Sequence, residues 1–290
     1  MEATVTDVVL RDGLQDEPVV VPVAARVQIA EALVTAGVRS LEVASFVNPL
    51  RVPQMAASEE LIAALPHHPG VAYRAIALNR RGVERASATR IGTLAVVISV
   101  STEHSLANVR RDREEALADL CGAVAEADGP AQITGSVATA FCDPSGQPTE
   151  ARDLLAVLDA LREAGIDKVG LADTTGVAPT EHVAMLLGAV RRAMPDLELW
   201  LHLHDGRGQA LDTVDAALEL GVSEFDSALG GIGGCPFVAG APGNLDTAKL
   251  VRHLHGRGIA TGVEPDRLDA AARLLSSILR DAPAVPSAAA

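Results

Sequence analysis

The stretch EALVTAGVRSLEV, residues 31–43, runs from a helical Ala/Leu pattern through one glycine into a β-branched run. The same succession returns in ALREAGIDKVGLAD, residues 160–173, and in AALELGVSEFDSAL, residues 216–229. A glycine at this point is typical of a helix that ends in a left-handed cap. The three glycines are Gly37, Gly165 and Gly221. A repeated helix-to-strand unit predicts an α/β fold with parallel strands.

Beyond these three units, the whole chain alternates between short β-branched runs and longer helical patterns. Strands are predicted at about 5–10, 40–46, 71–78, 93–101, 132–141, 168–173, 198–205 and 224–229. Helices are predicted at about 22–36, 56–65, 80–89, 108–128, 149–164, 179–193, 208–220 and 246–256. Eight such units favour a closed (β/α)8 TIM barrel over an open doubly wound sheet, because closure leaves no strand edge.

The segment that follows the eighth unit predicts an extra C-terminal helix at about 263–281. We therefore expect one catalytic domain over residues 1–283 and a flexible tail over residues 284–290. Hydrophobic residues make up 48% of the chain and aromatic residues 2%. The core must consequently be built from Ala, Val, Leu and Ile, which suits a parallel sheet covered by helices.

The charge of the chain excludes several classes of partner. Its formal net charge is -14, with a sequence pI near 4.9. No basic cluster interleaved with aromatic residues is found, which argues against a nucleic-acid partner or an acidic membrane surface. An anionic substrate would therefore need a local cationic site.

The cysteines and the N-terminus bear on location. Cys121, Cys142 and Cys235 are odd in number and show no paired spacing, so neither a disulfide framework nor a zinc knuckle is indicated. The sequence has no basic-then-apolar signal region and no apolar run of about 20 residues. We expect a cytoplasmic protein, with a homodimer as the candidate assembly.

Polar residues gather at the predicted C-terminal ends of the strands, where barrel enzymes place their catalytic groups. His202 and His204 are separated by one residue, which on a strand turns both imidazoles to the same face. This is the spacing of a metal-binding pair. From the spacing alone, it is equally possible that one of these histidines lies in the core and the other at the surface.

Two oxygen ligands are candidates beside the histidine pair. Asp12 follows the first strand and Asn244 follows the eighth, so both are placed at the same rim. A mixed set of oxygen and imidazole donors suits Mg²⁺ or Mn²⁺, with Zn²⁺ or Co²⁺ as alternatives. Taken singly, Asp12 is more often a turn residue and Asn244 an ordinary loop residue.

Three charged residues are candidate substrate or orienting groups. Arg11 could bind a carboxylate or a thioester oxygen that gains negative charge, or could form a surface ion pair with Asp16 or Glu17. Glu42 and Asp173 could orient Arg11 or a ligand histidine, or could be structural pairs.

The segment GGIGGCPFVAGAPGN, residues 230–244, is too rich in glycine for a helix or strand and predicts a mobile lid. Its Cys235 could act as a proton donor over the site, or could be a small buried hydrophobe.

Five blocks carry a family resemblance: RDGLQDE (11–17), LEVASFVNPLRVPQM (41–55), ADTTGV (172–177), HLHDGRGQAL (202–211) and GGIGGCPFVAGAPGNL (230–245). In this order they resemble the signature blocks of hydroxymethylglutaryl-CoA lyases. The resemblance implies the same barrel and retro-Claisen cleavage of a 3-hydroxy-3-methylglutaryl thioester to acetyl-CoA and a 3-oxo acid.

The resemblance also implies roles for single residues. The metal ligands would be Asp12, His202, His204 and Asn244, and the residues that line the substrate would be Arg11, Glu42, Asp173 and Cys235. His202 or Asp12 would take the proton of the substrate hydroxyl, Arg11 would stabilise the enolate, and Cys235 would return a proton.

Some positions depart from the family pattern, namely Pro18, Asp143, Ala248 and Lys249. They leave open which acyl group is cleaved and whether CoA is required. An aldolase or a Claisen-type condensing synthase acting on a 2-oxo acid is the alternative enzyme. A ligand-binding barrel without catalysis, suggested by the carboxylate missing at Ala248, is the third interpretation.

Overall fold

The computed structural model describes residues 1–234 and 242–285. Its eight strands are β1 (Thr4–Asp7), β2 (Ser40–Ser45), β3 (Ala72–Ala77), β4 (Thr93–Ser99), β5 (Gln132–Ala138), β6 (Lys168–Asp173), β7 (Glu198–Leu203) and β8 (Glu224–Ser227). Each is hydrogen-bonded in parallel to the next, and β8 pairs with β1, so the sheet closes. The predicted (β/α)8 barrel is confirmed.

Helices surround the barrel in the order that the sequence predicts. In the described residues they are α1 (Val23–Thr35), α2 (Ser58–Ala64), α3 (Arg80–Ser87), α4 (Thr102–Val109), α5 (Arg113–Glu126), α6 (Ala151–Glu163), α7 (Thr180–Ala193), α8 (Ala210–Glu219), α9 (Thr247–Gly256) and α10 (Pro265–Asp281). None of these helices is long and apolar enough to cross a membrane. The extra C-terminal helix is confirmed as α10, which packs against α1.

The repeat glycines end helices as predicted. Gly37, Gly165 and Gly221 have φ values of 100°, 84° and 76°. These values lie in the left-handed region, where a residue with a side chain is strained. Each of these helices is followed within a few residues by a strand, so the caps set the turn from the outer layer into the barrel.

One helix prediction is wrong, because the segment 108–128 contains the end of one helix and the whole of another. Arg110 has a left-handed φ of 61°, which ends α4. The carboxylate of Asp112 then accepts a hydrogen bond of 2.8 Å from the Glu115 N–H and begins α5. An N-terminal aspartate cap separates the two helices where hydrophobic spacing alone gives one.

The first strand is shorter than predicted. It ends at Asp7, and Val9–Gly13 form a π-helical turn instead of a continued strand. The Asp7 carboxylate accepts a hydrogen bond of 2.9 Å from the Val9 N–H and so bends the chain. On a strand, consecutive side chains would point to opposite faces, whereas this turn directs both Arg11 and Asp12 to the same cavity.

The C-terminal end of the described chain lies against the loop that follows the first strand. The Val20 N–H donates to the Pro283 carbonyl at 2.8 Å, and the Val285 N–H donates to the Pro18 carbonyl at 2.9 Å. The predicted flexible tail starts at residue 284, so its first two residues are paired here. Residues 286–290 lie outside the described residues.

Candidate active site

A cavity of about 780 Å³ opens at the C-terminal ends of the strands. Every strand, or the residue that follows it closely, contributes a side chain to the wall. These side chains are Arg11, Glu42, Ile76, Val97, Ala138, Thr174, His202 and Asp226. Charged groups come from β1, β2, β7 and β8, whereas β3 to β6 contribute apolar or small residues. The charged side chains of the strands therefore lie on one side of the cavity, which we call the polar side. The segments that follow β3 and β4 add Asn79, His104, Asn108 and Arg110 to the wall.

Three buried side chains meet at one point of the polar side. The Nε2 atoms of His202 and His204 are 3.1 Å apart, and Asp12 Oδ2 lies 3.8 Å and 3.7 Å from them. Ligand atoms at about 2.1 Å from a common ion and at right angles to each other lie about 3.0 Å apart. The donor atoms have the spacing of a divalent metal site.

Hydrogen bonds on the far side of each imidazole fix its orientation. His204 Nδ1 lies 2.9 Å from the Pro242 carbonyl, and His202 Nδ1 lies 3.3 Å from Asp226 Oδ2. Both partners accept hydrogen bonds, so each Nδ1 carries the proton and each Nε2 keeps its lone pair. An imidazole held in this way is the usual form of a metal-ligating histidine.

Asn244 lies beside these three side chains. Its Nδ2 donates to Asp12 Oδ2 at 2.7 Å and to the Ile232 carbonyl at 2.9 Å. Its Oδ1 is buried and has no hydrogen-bond partner. A buried amide oxygen without a partner is costly unless something accepts its lone pairs, and a cation would do so. The residues present therefore fit a divalent ion.

Burial and neighbouring charge set the ionisation of two of these groups. Burial raises the pKa of Asp12, but Arg11 and the histidines lower it overall to about 2. Burial lowers the pKa of His204 to about 4. At neutral pH Asp12 is therefore a carboxylate and His204 is neutral, which are the states in which they bind a metal.

Arg11 lies beside this point and pairs with buried carboxylates. It forms ion pairs with Asp12 and with Glu42 Oε1, not the surface pairs with Asp16 or Glu17 that the sequence left open. Burial lowers the pKa of Arg11, but Asp12 and Glu42 outweigh this effect and raise it. Arg11 is thus a fixed cation at the polar end of the cavity.

Asp173 is placed differently from the other predicted site residues. Its Oδ1 accepts hydrogen bonds of 3.0 Å from Thr175 Oγ1 and from the Gly176 N–H, and its Oδ2 accepts one of 3.2 Å from the Ala178 N–H. Both oxygens hold the loop that follows β6. Its neighbours Ala172 and Thr174 line the cavity.

Sequence reasoning missed three buried residues: Asp226, which lines the cavity, and Arg74 and Trp200, which contact it from behind. Arg74 contacts Glu42 and Asp226, and Trp200 Nε1 donates to Asp226 Oδ2 at 3.1 Å. A charged residue inside the otherwise apolar run AYRAIA was the available signal for Arg74. The partners could not be inferred, because they depend on the register between strands.

Two further positions of the sequence prediction are Cys235 and Ala248. Cys235 lies outside the described residues, and the preceding Gly234 lines the cavity. Ala248, where the family pattern has a carboxylate, is buried on α9 within the apolar core.

Comparison with known proteins agrees with this geometry. A family model described as HMGL-like matches residues 2–275. The chain belongs to the HMGL-like family. The resemblance to hydroxymethylglutaryl-CoA lyases is confirmed, and the relatives of this family described below are carbon–carbon lyases.

Two curated members of the HMGL-like family illustrate the range of named activities. An (R)-citramalyl-CoA lyase of Chloroflexus aurantiacus is 35% identical and covers 96% of this chain and 92% of its own. A hydroxymethylglutaryl-CoA lyase of Pseudomonas mevalonii is 36% identical and covers 88% of this chain and 85% of its own.

Solved structures of HMGL-like proteins superpose closely. An HMG-CoA lyase of Acinetobacter baumannii, in complex with coenzyme A and 3-methylmalate, has a TM-score of 0.91 at 35% identity and covers 98% of this chain and 93% of that one. An HMG-CoA lyase of Brucella melitensis has a TM-score of 0.90 at 35% identity and covers 97% of this chain and 99% of that one.

Proposed function

We propose that this protein is a divalent-metal-dependent lyase that cleaves a 3-hydroxyacyl-CoA thioester of the 3-hydroxy-3-methylglutaryl or citramalyl kind, releasing acetyl-CoA and an oxo acid. The observation that carries the proposal is the convergence of His202 Nε2, His204 Nε2 and the Asp12 carboxylate. We assign Asn244 Oδ1, which is buried without a hydrogen-bond partner, as the fourth donor. Mg²⁺ or Mn²⁺ fits this mixed donor set best, with Zn²⁺ or Co²⁺ as alternatives.

An ion held by these residues would draw electron density from the substrate hydroxyl and lower its pKa. Of the two candidate bases, Asp12 would accept the hydroxyl proton through its second carboxylate oxygen, because His202 would hold the ion with Nε2 and carries its own proton on Nδ1. The alkoxide left behind becomes the carbonyl of the oxo acid. The bond between C2 and C3 then breaks, and its electron pair moves into the thioester as an enolate. Arg11 is placed to stabilise the enolate oxygen through its guanidinium. Cys235 donates the proton that completes acetyl-CoA, a role that rests on the sequence resemblance.

The two candidate substrates differ in one methylene. Both have a tertiary hydroxyl and a carboxylate, but the carboxylate is one carbon further from the hydroxyl in the hydroxymethylglutaryl thioester. The oxo acid that is released identifies the substrate, because hydroxymethylglutaryl-CoA gives acetoacetate and citramalyl-CoA gives pyruvate. A cytoplasmic location, expected from the sequence, remains part of this proposal.

The test is a substrate panel on metal-stripped protein with and without Mg²⁺ or Mn²⁺. Acetyl-CoA release would be measured for hydroxymethylglutaryl-CoA and both citramalyl-CoA stereoisomers. 3-Hydroxybutyryl-CoA, which lacks the distal carboxylate, serves as the negative control. Metal-dependent acetyl-CoA release from one of the first three supports the proposal. Release from none of them, with a metal-loaded and folded protein, contradicts it.

A further inference from the structure

Arg74 occupies an unusual place for a charged side chain. It lies in the middle of β3 and is only 8% exposed. It stands behind Glu42 and Asp226, whose side chains line the cavity. A buried guanidinium is stable only with close anionic partners, so its contacts must be specific.

The guanidinium holds one carboxylate with each of two nitrogens. Its Nε donates to Glu42 Oε2 at 2.6 Å, and its Nη2 donates to Asp226 Oδ2 at 2.7 Å. Glu42 is the register partner of Arg74 on the adjacent strand, whereas Asp226 reaches it from β8. Arg74 therefore links two sides of the barrel that are not adjacent in the sheet.

Each carboxylate in turn holds a residue of the site. Glu42 Oε1 accepts from Arg11, and Asp226 Oδ2 lies 3.3 Å from His202 Nδ1. Through these two carboxylates, the Arg74 guanidinium holds both Arg11 and His202. Both lie at the metal point, by which we mean the place where the Nε2 atoms of His202 and His204 meet the Asp12 carboxylate. Three carboxylates (Asp12, Glu42 and Asp226) face two arginines (Arg11 and Arg74), which leaves one net negative charge where a divalent ion would bind.

Trp200 keeps this arrangement rigid. The Arg74 guanidinium lies 4.9 Å from the centre of the indole ring, within the range of a cation–π contact. The indole Nε1 also donates to Asp226 Oδ2 at 3.1 Å. The ring lies over Gly170, where a Cβ atom would be 2.2 Å from Trp200 Cε2. Only glycine leaves room for the ring there.

We propose that Arg74 is the positioning residue of this site: by holding Glu42 and Asp226 it fixes Arg11 and keeps His202 Nε2 directed at the metal point. Lysine could not replace it, because an ammonium group lacks the planar fork that serves two carboxylates at once. The inference rests on the metal site of the proposed function but not on the identity of the thioester.

The experiment compares Arg74→Met and Arg74→Lys with a matched control, Lys168→Met. Lys168 also stands on a strand and pairs with Glu224 at 2.7 Å, but at the opposite end of the barrel. Mn²⁺ affinity of metal-stripped protein would be measured by calorimetry. Thermal unfolding and the emission of Trp200, the single tryptophan of the chain, would be recorded in parallel.

For folded Arg74→Met we expect Mn²⁺ binding roughly 10–100-fold weaker, the usual cost of losing a residue that orients a ligand. Trp200 emission should shift, since the cation over its ring is lost. Arg74→Lys should show a smaller loss of affinity, and Lys168→Met should bind Mn²⁺ as the wild type does with unchanged emission.

Wild-type Mn²⁺ affinity in folded Arg74→Met would overturn the inference, as would an equal loss of affinity in Lys168→Met. If Arg74→Met does not fold, Arg74→Lys gives the answer, and unchanged affinity there overturns the inference. A wild type that binds no Mn²⁺ overturns both proposals. A wild type that binds Mn²⁺ in an Arg74-dependent way but cleaves no thioester contradicts only the proposed function.

Discussion

At the residue scale, the metal point depends on both ring nitrogens of each histidine, Nε2 toward the metal and Nδ1 toward its hydrogen-bond acceptor. The alternation of a strand predicts that His202 and His204 face the same way, and this prediction needs only the sequence. The hydrogen bonds that leave Nε2 available come from Asp226 and from the Pro242 carbonyl, which lie 24 and 38 residues away from their partners. Contacts of this kind follow from the closed fold and could not be inferred from the motif.

Asp12 supplies the only formal negative charge among the four candidate ligands. Asp12→Asn should weaken Mn²⁺ binding by at least about 100-fold, because an amide is a poorer ligand for a hard cation than a carboxylate. Calorimetry on metal-stripped protein measures this. Asp16→Asn is the control, since Asp16 lines the same cavity without belonging to the donor set. Equal affinity in Asp12→Asn and wild type would remove Asp12 from the metal site.

Arg11→Lys keeps the positive charge but loses the planar fork. We expect kcat to fall about 10²–10³-fold with little change in KM, because the guanidinium acts on charge that develops during the reaction. Steady-state kinetics test this, with Arg152→Lys on the outer helix α6 as the control. Near-wild-type kcat in Arg11→Lys would show that Arg11 is only an ion-pair partner.

At the element scale, the sequence predicted all eight strands and the order of the helices, but several ends differ, among them that of β5, which stops at Ala138 instead of residue 141. The ends of β1 and α4 have an identifiable physical reason. Hydrophobic spacing extended β1 to residue 10, since Val9 and Leu10 are as buried in a π-helical turn as they would be in a strand. It also fused α4 with α5. Local polar contacts of Asp7 and Asp112 decide both cases. Such contacts compete with secondary structure without changing the apolar pattern.

The Asp173 carboxylate is expected to stabilise the loop after β6. Asp173→Ala should lower the free energy of unfolding by about 1–3 kcal/mol, because buried N–H groups of that loop lose their acceptors. Denaturant unfolding measures this, and Mn²⁺ affinity should stay close to that of the wild type. Asp153→Ala, on the outer helix α6, is the control and should change little. A lost metal affinity at unchanged stability would instead assign Asp173 to the reaction.

At the scale of the whole molecule, the first and last parts of the barrel are joined by a buried acid. Asp7 accepts hydrogen bonds from the Val9 N–H and from Thr247 Oγ1, the latter at 2.7 Å at the start of α9. Burial raises the pKa of Asp7 to about 7, although these hydrogen bonds act against the increase. The folded protein therefore binds a proton that the unfolded chain releases at much lower pH.

This difference predicts how stability changes with pH. Between the unfolded pKa near 3.8 and the folded pKa near 7, the unfolded state binds fewer protons, so the contribution of Asp7 to stability falls as pH rises. Relative to Asp7→Asn, the wild type should lose about 3 kcal/mol of unfolding free energy between about pH 5 and pH 8. Urea unfolding of both proteins measures the difference. A constant difference would show that Asp7 titrates normally.

The net charge of -14 means that an anionic substrate would need local cations in an acidic protein. Arg11, Arg51 and Arg110 line the cavity, but Arg11 is paired with Asp12 and Glu42, so Arg51 and Arg110 are the candidate cations for such a substrate. The identity of the acyl group could not be predicted, since it depends on the distance between the metal point and the carboxylate that the cavity accommodates.

We expect one divalent ion to bind between Asp12, His202, His204 and Asn244, at the place where the substrate reacts. An anomalous diffraction map of crystals grown with Mn²⁺, with data collected at the manganese absorption edge, tests this. We expect a single strong peak about 2.0–2.3 Å from the two Nε2 atoms, an Asp12 carboxylate oxygen and Asn244 Oδ1. A fully loaded crystal with no peak at this point, or with its peak elsewhere, would contradict the metal site.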